Sequence, residues 1–257
     1  AEILVRQLGL ESANGLDLPG VKDTDEEDAD GSSHQPVEAS QATLYRACAA
    51  RCNFLSLDRP DIQFAAKEIS RGMAKPTPAD FIKLKRLARY IKQHPRAVFK
   101  YRFQDEFDNI NVYTDTDWAG CIKTRRSTQG GIAMLGGHCV KSWSTTQAFI
   151  ALSSGEAEYY GVVKGSSVGL GLQAMLADMG VKVQLHVHTD ATAAKGIASR
   201  KGLSSRTRHV AVHFLWVQEH VIAGNITIHK VKGDANPADL LTKYLGRDLI
   251  ARHTAFL

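Results

Sequence analysis

Four acidic residues stand in four separate segments, each in a setting that suits a metal ligand better than a packing role. Asp115 closes Asn-Val-Tyr-Thr-Asp, and Glu158 lies in Leu-Ser-Ser-Gly-Glu-Ala-Glu-Tyr-Tyr. Asp190 closes Leu-His-Val-His-Thr-Asp, and Asp239 lies in Asn-Pro-Ala-Asp-Leu-Leu-Thr-Lys. Asp115 and Asp190 end β-patterned runs, while Glu158 and Asp239 stand near the starts of helix-patterned runs. A carboxylate at a strand end is poorly placed for packing and well placed for a cation. Hard divalent ions take oxygen ligands, and two of them clamp the oxygens of a phosphodiester as it is cut. The chemistry these residues suit is metal-dependent phosphodiester cleavage.

Each acid also has a local reading. Asp117 lies two residues beyond Asp115 and shares its face if the strand continues; Asp115 is the expected ligand because it is nearer the sheet core. Glu156 and Glu158 lie roughly 200° apart on a helix, so only one of them faces a sheet beneath it. Asp190 fits a helix N-cap, and Asp239 fits a first-turn acid favoured by the helix dipole. It is the joint occurrence of the four in one topology that points to a site. Around them, Lys201, Arg206, Arg208 and His209 occupy the basic stretch 199–209 and suit contacts to backbone phosphates. His186 and His188 share a strand face and are expected to be packed or hydrogen-bonded. His209 and His213 are one helical turn apart, but no third zinc ligand accompanies them. Trp118, Trp143 and Trp216 are expected in the core.

The elements that must position these residues follow from periodicity. Residues 41–97 read as three helices. Leu44, Ala47, Cys48 and Leu55 mark the first; Pro60 starts the second, with Ile62, Phe64, Ala65 and Ile69 inward. The third runs from about Ala79, with Phe81, Leu84, Leu87 and Ile91 inward and Lys83, Lys85, Arg86, Arg89 and Lys92 outward. From residue 108 the period changes. Strands are expected from Ile110 into Asp115, over 130–135, 139–144, 183–189 and 226–231, with Gly136-Gly137 as a hairpin turn. Helices are expected over 154–179, 191–199 and 209–223, with a last one from near Pro237. The order β-β-β-α-β-α-α-β-α implies an α/β fold, a mixed five-stranded sheet with helices on both faces, preceded by a small helical segment.

The chain has 257 residues, 44% of them hydrophobic, with a net charge of +5. That is enough for one sizeable core and a smaller unit. The charge is uneven. Residues 1–39 hold ten acids against two bases, residues 40–107 fourteen bases against six acids, and residues 108–257 sixteen bases against eleven acids. Three regions are therefore expected: an acidic, flexible linker over 1–39, centred on the run 23–30; a helical connection-like segment over 40–107; and an α/β domain over 108–257. The basic regions suit a polyanion. Cys48, Cys52, Cys121 and Cys139 form no disulfide framework, which fits a reducing compartment. No apolar run has membrane-spanning length and no signal peptide opens the chain, so no membrane partner and an intracellular, unsecreted protein are expected. The first residue is Ala rather than Met, which fits a piece of something longer.

The ordered motifs Thr114-Asp-Thr-Asp-Trp-Ala-Gly120, Arg126-Ser-Thr-Gln-Gly130, Ser142-Trp-Ser144, Ala151-Leu-Ser-Ser-Gly-Glu-Ala-Glu-Tyr159, Thr189-Asp190, Arg206-Thr-Arg-His209 and Ala238-Asp-Leu-Leu-Thr-Lys243 resemble the ribonuclease H domain of Ty1/copia-type retrotransposon Pol polyproteins. Upstream, Leu44-Tyr-Arg, Arg59-Pro-Asp-Ile62 and Leu87-Ala-Arg-Tyr-Ile91 resemble the helical segment that follows the reverse transcriptase palm. The resemblance covers about residues 41–245. It implies a ribonuclease H-like fold and a site of Asp115, Glu158, Asp190 and Asp239 holding two Mg²⁺, with Mn²⁺ as a substitute. It further implies cleavage of the RNA strand of RNA–DNA hybrids, with the palm domain of the same polyprotein as partner. One departure stands out: Val231-Lys-Gly233 is followed by Asp234 where cellular enzymes often carry a His. There is no Tyr-x-Asp-Asp or Phe-x-Asp-Asp polymerase motif. The competing readings are a decayed nucleic-acid-binding module and a transposase- or integrase-type nuclease of the same fold.

Overall fold

Alternation of buried and partly exposed residues over Asn109–Asp117 makes β1, the central strand of the sheet that carries the candidate acids. The computed structural model describes residues 1–22, 35–105, 107–205 and 207–257. β2 (Thr128–Leu135) pairs antiparallel with β1, and β3 (His138–Thr146) antiparallel with β2. Gly136 turns between them with φ of +56°, a conformation glycine adopts without steric cost. β4 (Gln184–Thr189) runs parallel to β1, and β5 (Ile226–Lys230) parallel to β4. The order is β3-β2-β1-β4-β5, the mixed five-stranded sheet that the element order implied. Because β1 and β4 are parallel, both deliver their C-terminal acids to one end of the sheet.

The long helix α5 (Ser154–Asp178) crosses one face of the sheet. Its glycines at 161, 165 and 169 recur every four residues along one side. A Cβ at Gly165 would collide with Thr114 and one at Gly169 with Leu185, so the absence of side chains lets the helix sit close to the strands. Ile110, Val112, Leu185 and Val187 from the sheet and Tyr159, Val162 and Val163 from α5 form the core there. α6 (Thr192–Ala198) and α7 (Trp216–Ile222) add Ala194, Ile197 and Val217 to it. On the other face, a 3-10 turn over Pro237–Leu241 lies against β1 and β2, with Leu241 packed where Gly130 leaves room.

Two compact units emerge. One comprises Lys100–Thr242 with Ala255–Leu257, and the other Ala1–Phe99 with Lys243–Thr254. The second holds α1 (Glu2–Gln7), α2 (Ala39–Leu55), α3 (Pro60–Ser70), α4 (Pro78–Gln93) and most of α8 (Arg247–Phe256). Pro60 starts α3 where a missing N–H costs nothing. Thr77 and Asp80 cap α4 reciprocally, each side chain bonding the other's backbone N–H. Leu4, Tyr45, Ile62, Ile69, Leu84, Leu87 and Ile91 form its core. Arg59 donates two hydrogen bonds to Asp61, at 2.8 and 2.7 Å, and Tyr90 donates a third at 2.9 Å. The Arg-Pro-Asp motif is thus a buried ion pair.

Several segments differ from expectation for identifiable reasons. The acidic run 23–30 lies outside the described residues, but residues 2–7 of the supposed linker form a helix because Leu4 finds a core to enter. Arg89 and Lys92, expected on an outward basic face, donate to the backbone carbonyls of Asn14, Leu10, Glu11 and Ala13 and so hold that N-terminal stretch. The helix expected over 209–223 is a 3-10 turn at Val212–Phe214 followed by α7, since just before it the Ser204 N–H donates to the Thr207 hydroxyl and the Val210 N–H to the Thr207 carbonyl. The helix expected from Pro237 is a 3-10 turn capped by the Asn236 side chain, and α8 begins only at Arg247. All four cysteines are buried and free. Among the described residues no helix is long and apolar enough to cross a membrane.

Candidate metal centre

β1 places Asp115, a residue only 4% exposed, opposite Gly130 of β2. β4 ends at Thr189, whose backbone pairs with Thr114, so Asp190 emerges beside Asp115. The second turn of α5 brings Glu158, 8% exposed, over the same strand ends. One carboxylate oxygen from each of Asp115, Glu158 and Asp190 lies within 4.8 Å of the other two. Three hard oxygen donors packed this closely in a largely buried setting repel one another unless a cation stands among them. The donor set therefore fits Mg²⁺ or Mn²⁺ and suits no soft metal.

Asp239 is outside this group of three. It lies on the Pro237–Leu241 turn, partly buried, and that turn is tied to β1 by the Asn236 amide, which donates to the Thr114 carbonyl at 2.9 Å. The Thr242 hydroxyl, at the end of the same turn, donates to the Asp115 carboxylate. Gly233, in the loop after β5, approaches the Asp190 carboxylate so closely that a Cβ there would lie 3.3 Å from it. Asp234 beside it is exposed.

Glu156 has a different job. Its buried carboxylate accepts from the Leu152 N–H at 2.9 Å, from the Tyr160 hydroxyl at 2.6 Å and from His209 Nε2 at 2.8 Å. Burial alone would raise its pKa, but these three donors together hold it below the usual carboxylate value. Glu156 thus clasps His209 onto the start of α5, the helix that carries Glu158. The sequence reading missed this pairing and gave His209 only a surface or substrate-contact role. Lys201 and Arg208 are exposed, and Arg206 lies outside the described residues. His186 and His188 are hydrogen-bonded, to His229 and Asn111, as expected. Trp143 is buried in the core, but Trp118 is 47% exposed.

No family model matches the chain. Two curated relatives from Arabidopsis thaliana are similar over most of it. The retrovirus-related Pol polyprotein from transposon RE1 is 28% identical over 218 residues, which is 84% of this chain and 15% of that protein. That from transposon RE2 is 29% identical over 217 residues, 83% and 15%. Over most of its length the chain's homologues are retrovirus-related Pol polyproteins of plant transposons. It spans only about 15% of the length of these two relatives. The Pol polyprotein from transposon TNT 1-94 of Nicotiana tabacum is 28% identical over 74% of the chain. Among solved structures, the N-terminal ribonuclease H domain of a Mycobacterium tuberculosis protein covers 58% of this chain and 97% of its own, at 14% identity and a TM-score of 0.39. LC11-RNase H1, isolated from compost by a metagenomic approach, covers 56% and 97%, at 14% and 0.41. The chain's own sheet has the order β3-β2-β1-β4-β5, mixed, with helices packed on it.

Proposed function

We propose that this Pol-type chain is an endoribonuclease that cuts the RNA strand of RNA–DNA hybrids. The observation that carries the reading is the convergence of Asp115, Glu158 and Asp190, from two parallel strand ends and one helix, at a single end of the sheet. In this reading those three carboxylates hold divalent metal, and Asp239 joins them when a second ion is present. When bound, two such ions would activate the attacking water and stabilise the leaving 3′-oxygen. The protein's own part is positional: the strands fix two carboxylates, the Glu156–His209 clasp fixes the helix bearing the third, and Thr242 fixes the rotamer of Asp115. Lys201, Arg206, Arg208 and His209 lie on the segment after α6 and hold backbone phosphates. Strand choice comes from 2′-hydroxyls and hybrid shape rather than base sequence. The helical unit connects this nuclease to the reverse transcriptase palm of the same polyprotein, inside the cell.

The test is gel analysis of a labelled hybrid with Mg²⁺, with Mn²⁺ and with chelator, for the parent and for Asp190→Asn. The expected result is metal-dependent cleavage of the RNA strand by the parent. The Asn variant should cleave slower by orders of magnitude while still binding hybrid, because relieving carboxylate–phosphate repulsion does not weaken binding. A parent that binds hybrid but never cuts it would make the chain a nucleic-acid-binding module. Equal cleavage by the two would remove the metal-site assignment.

A further inference from the structure

Residues 118–127 connect Asp117 to Thr128, which are register partners, so this loop stands at the end of the sheet where Asp115 and Asp190 meet. It holds three cations, Lys123, Arg125 and Arg126, and no acid. All three are exposed. The loop also contains the two non-glycine residues with positive φ among the described residues, Ala119 and Arg125, both at 54°. Glycine takes that conformation freely and an arginine does not. The turn is enforced by the Arg125 N–H, which donates to the Cys121 carbonyl at 2.7 Å, and by the Cys121 N–H, which donates to the Arg126 carbonyl at 3.2 Å. A loop that only had to reverse direction would be served better by glycine at 125; its arginine side chain is what the strained backbone presents. Beside it, the half-exposed Trp118 donates its indole N–H to the Ala151 carbonyl at 3.0 Å. That bond ties the loop to the segment that leads into Glu156 and Glu158.

We propose that the loop between β1 and β2 is a second phosphate-binding surface. In it Lys123, Arg125 and Arg126 grip the sugar–phosphate backbone of a bound duplex, and Trp118 anchors the loop to the rim of the carboxylate centre. The surface is separate in sequence from the basic stretch 199–209. The identity of the polyanion rests on the nuclease reading above. The contact is to phosphates and carries no base preference.

The test measures binding of a fluorescent RNA–DNA hybrid to the full chain without divalent metal, over a range of salt. The variants are Arg125→Gly and the double variant Lys123→Ala/Arg126→Ala. Arg125→Gly is expected to unfold at the parent's temperature or above, because the backbone is relieved. It should nevertheless bind hybrid several-fold more weakly, with the salt slope reduced by about one. The double variant, which alters no left-handed residue, should lose about two units of slope and decides the matter if Arg125→Gly is unstable. Parental affinity and slope in these variants would overturn the proposal. Cleavage is scored separately. A parent that binds hybrid but never cuts it removes the nuclease reading and leaves this surface standing. A parent that cuts while both loop variants bind normally does the reverse.

Discussion

The side-chain hydroxyl of Thr242 donates a hydrogen bond to the carboxylate of Asp115, joining the end of the Pro237–Leu241 turn to the central strand. Both groups are buried, so the bond is shielded from water and fixes the carboxylate rotamer. Partners of this kind orient metal ligands, and their removal commonly costs about 10- to 100-fold in metal affinity. Thr242→Val keeps the shape and deletes the donor. It is expected to weaken Mn²⁺ binding by that order in calorimetry and to raise the Mg²⁺ concentration needed for half-maximal cleavage. Thr242→Ser should restore both. A valine variant with the parent's metal affinity would show that the bond has no role in positioning.

Asp239 is not one of the three acids whose carboxylate oxygens all lie within 4.8 Å of one another. Its substitution by Asn should therefore weaken cleavage less than Glu158→Gln does, and its effect should shrink as Mg²⁺ is raised. Glu158→Gln removes one of three donors already gathered and should cost orders of magnitude at any Mg²⁺ level. Metal titrations of cleavage for the two variants make the comparison. Equal losses, both insensitive to metal concentration, would mean that Asp239 is as integral to the centre as Glu158.

Much of this was legible in the sequence because it follows from short-range rules. Alternation located the strands, and the run of three strands before the first crossover implied the mixed sheet. Asp115 and Asp190 stood out because each closes a β-patterned run. The legible part stops where side chains act over long sequence separations. Glu156 and His209 are 53 residues apart, and nothing in either segment shows that they meet. Their presence in two separate motifs was the available clue. Arg89 and Lys92 looked like part of an outward basic face because charge pattern does not reveal backbone carbonyls 75 to 82 residues upstream. The turn at Pro237 looked like a helix start because Pro and Asp favour both.

The buried Arg59–Asp61 pair in the helical unit supplies a stability prediction. The guanidinium is engaged at both Nε and Nη2, and Tyr90 completes the carboxylate's partners. Removing one member strands a desolvated charge, a change that typically costs about 3–5 kcal/mol. Asp61→Ala should destabilise by that order in denaturant unfolding. Arg59→Met with Asp61→Leu together should cost less than Asp61→Ala alone, since no charge is then left buried. A double variant less stable than the single would mean that the pair itself, beyond the avoidance of an unpaired charge, holds the unit.

His253, on α8, sets how that unit answers to acid. It is 2% exposed, and its Nε2 has no hydrogen-bond partner. Burial, reinforced by Arg252 and Lys243, pushes its pKa below the ordinary histidine value, so the folded chain holds it neutral. The unfolded chain then takes up a proton at higher pH than the folded one. The stability His253 contributes is therefore complete above the ordinary histidine pKa and is lost as pH falls below it. His253→Leu removes both the titration and the unpartnered nitrogen. Its unfolding free energy should equal or exceed the parent's at neutral pH, and it should fall less steeply between neutral pH and the carboxylate range. Chemical denaturation at a series of pH values reads this directly. Parallel pH profiles for the two proteins would mean that His253 is protonated as readily in the folded chain as in the unfolded one.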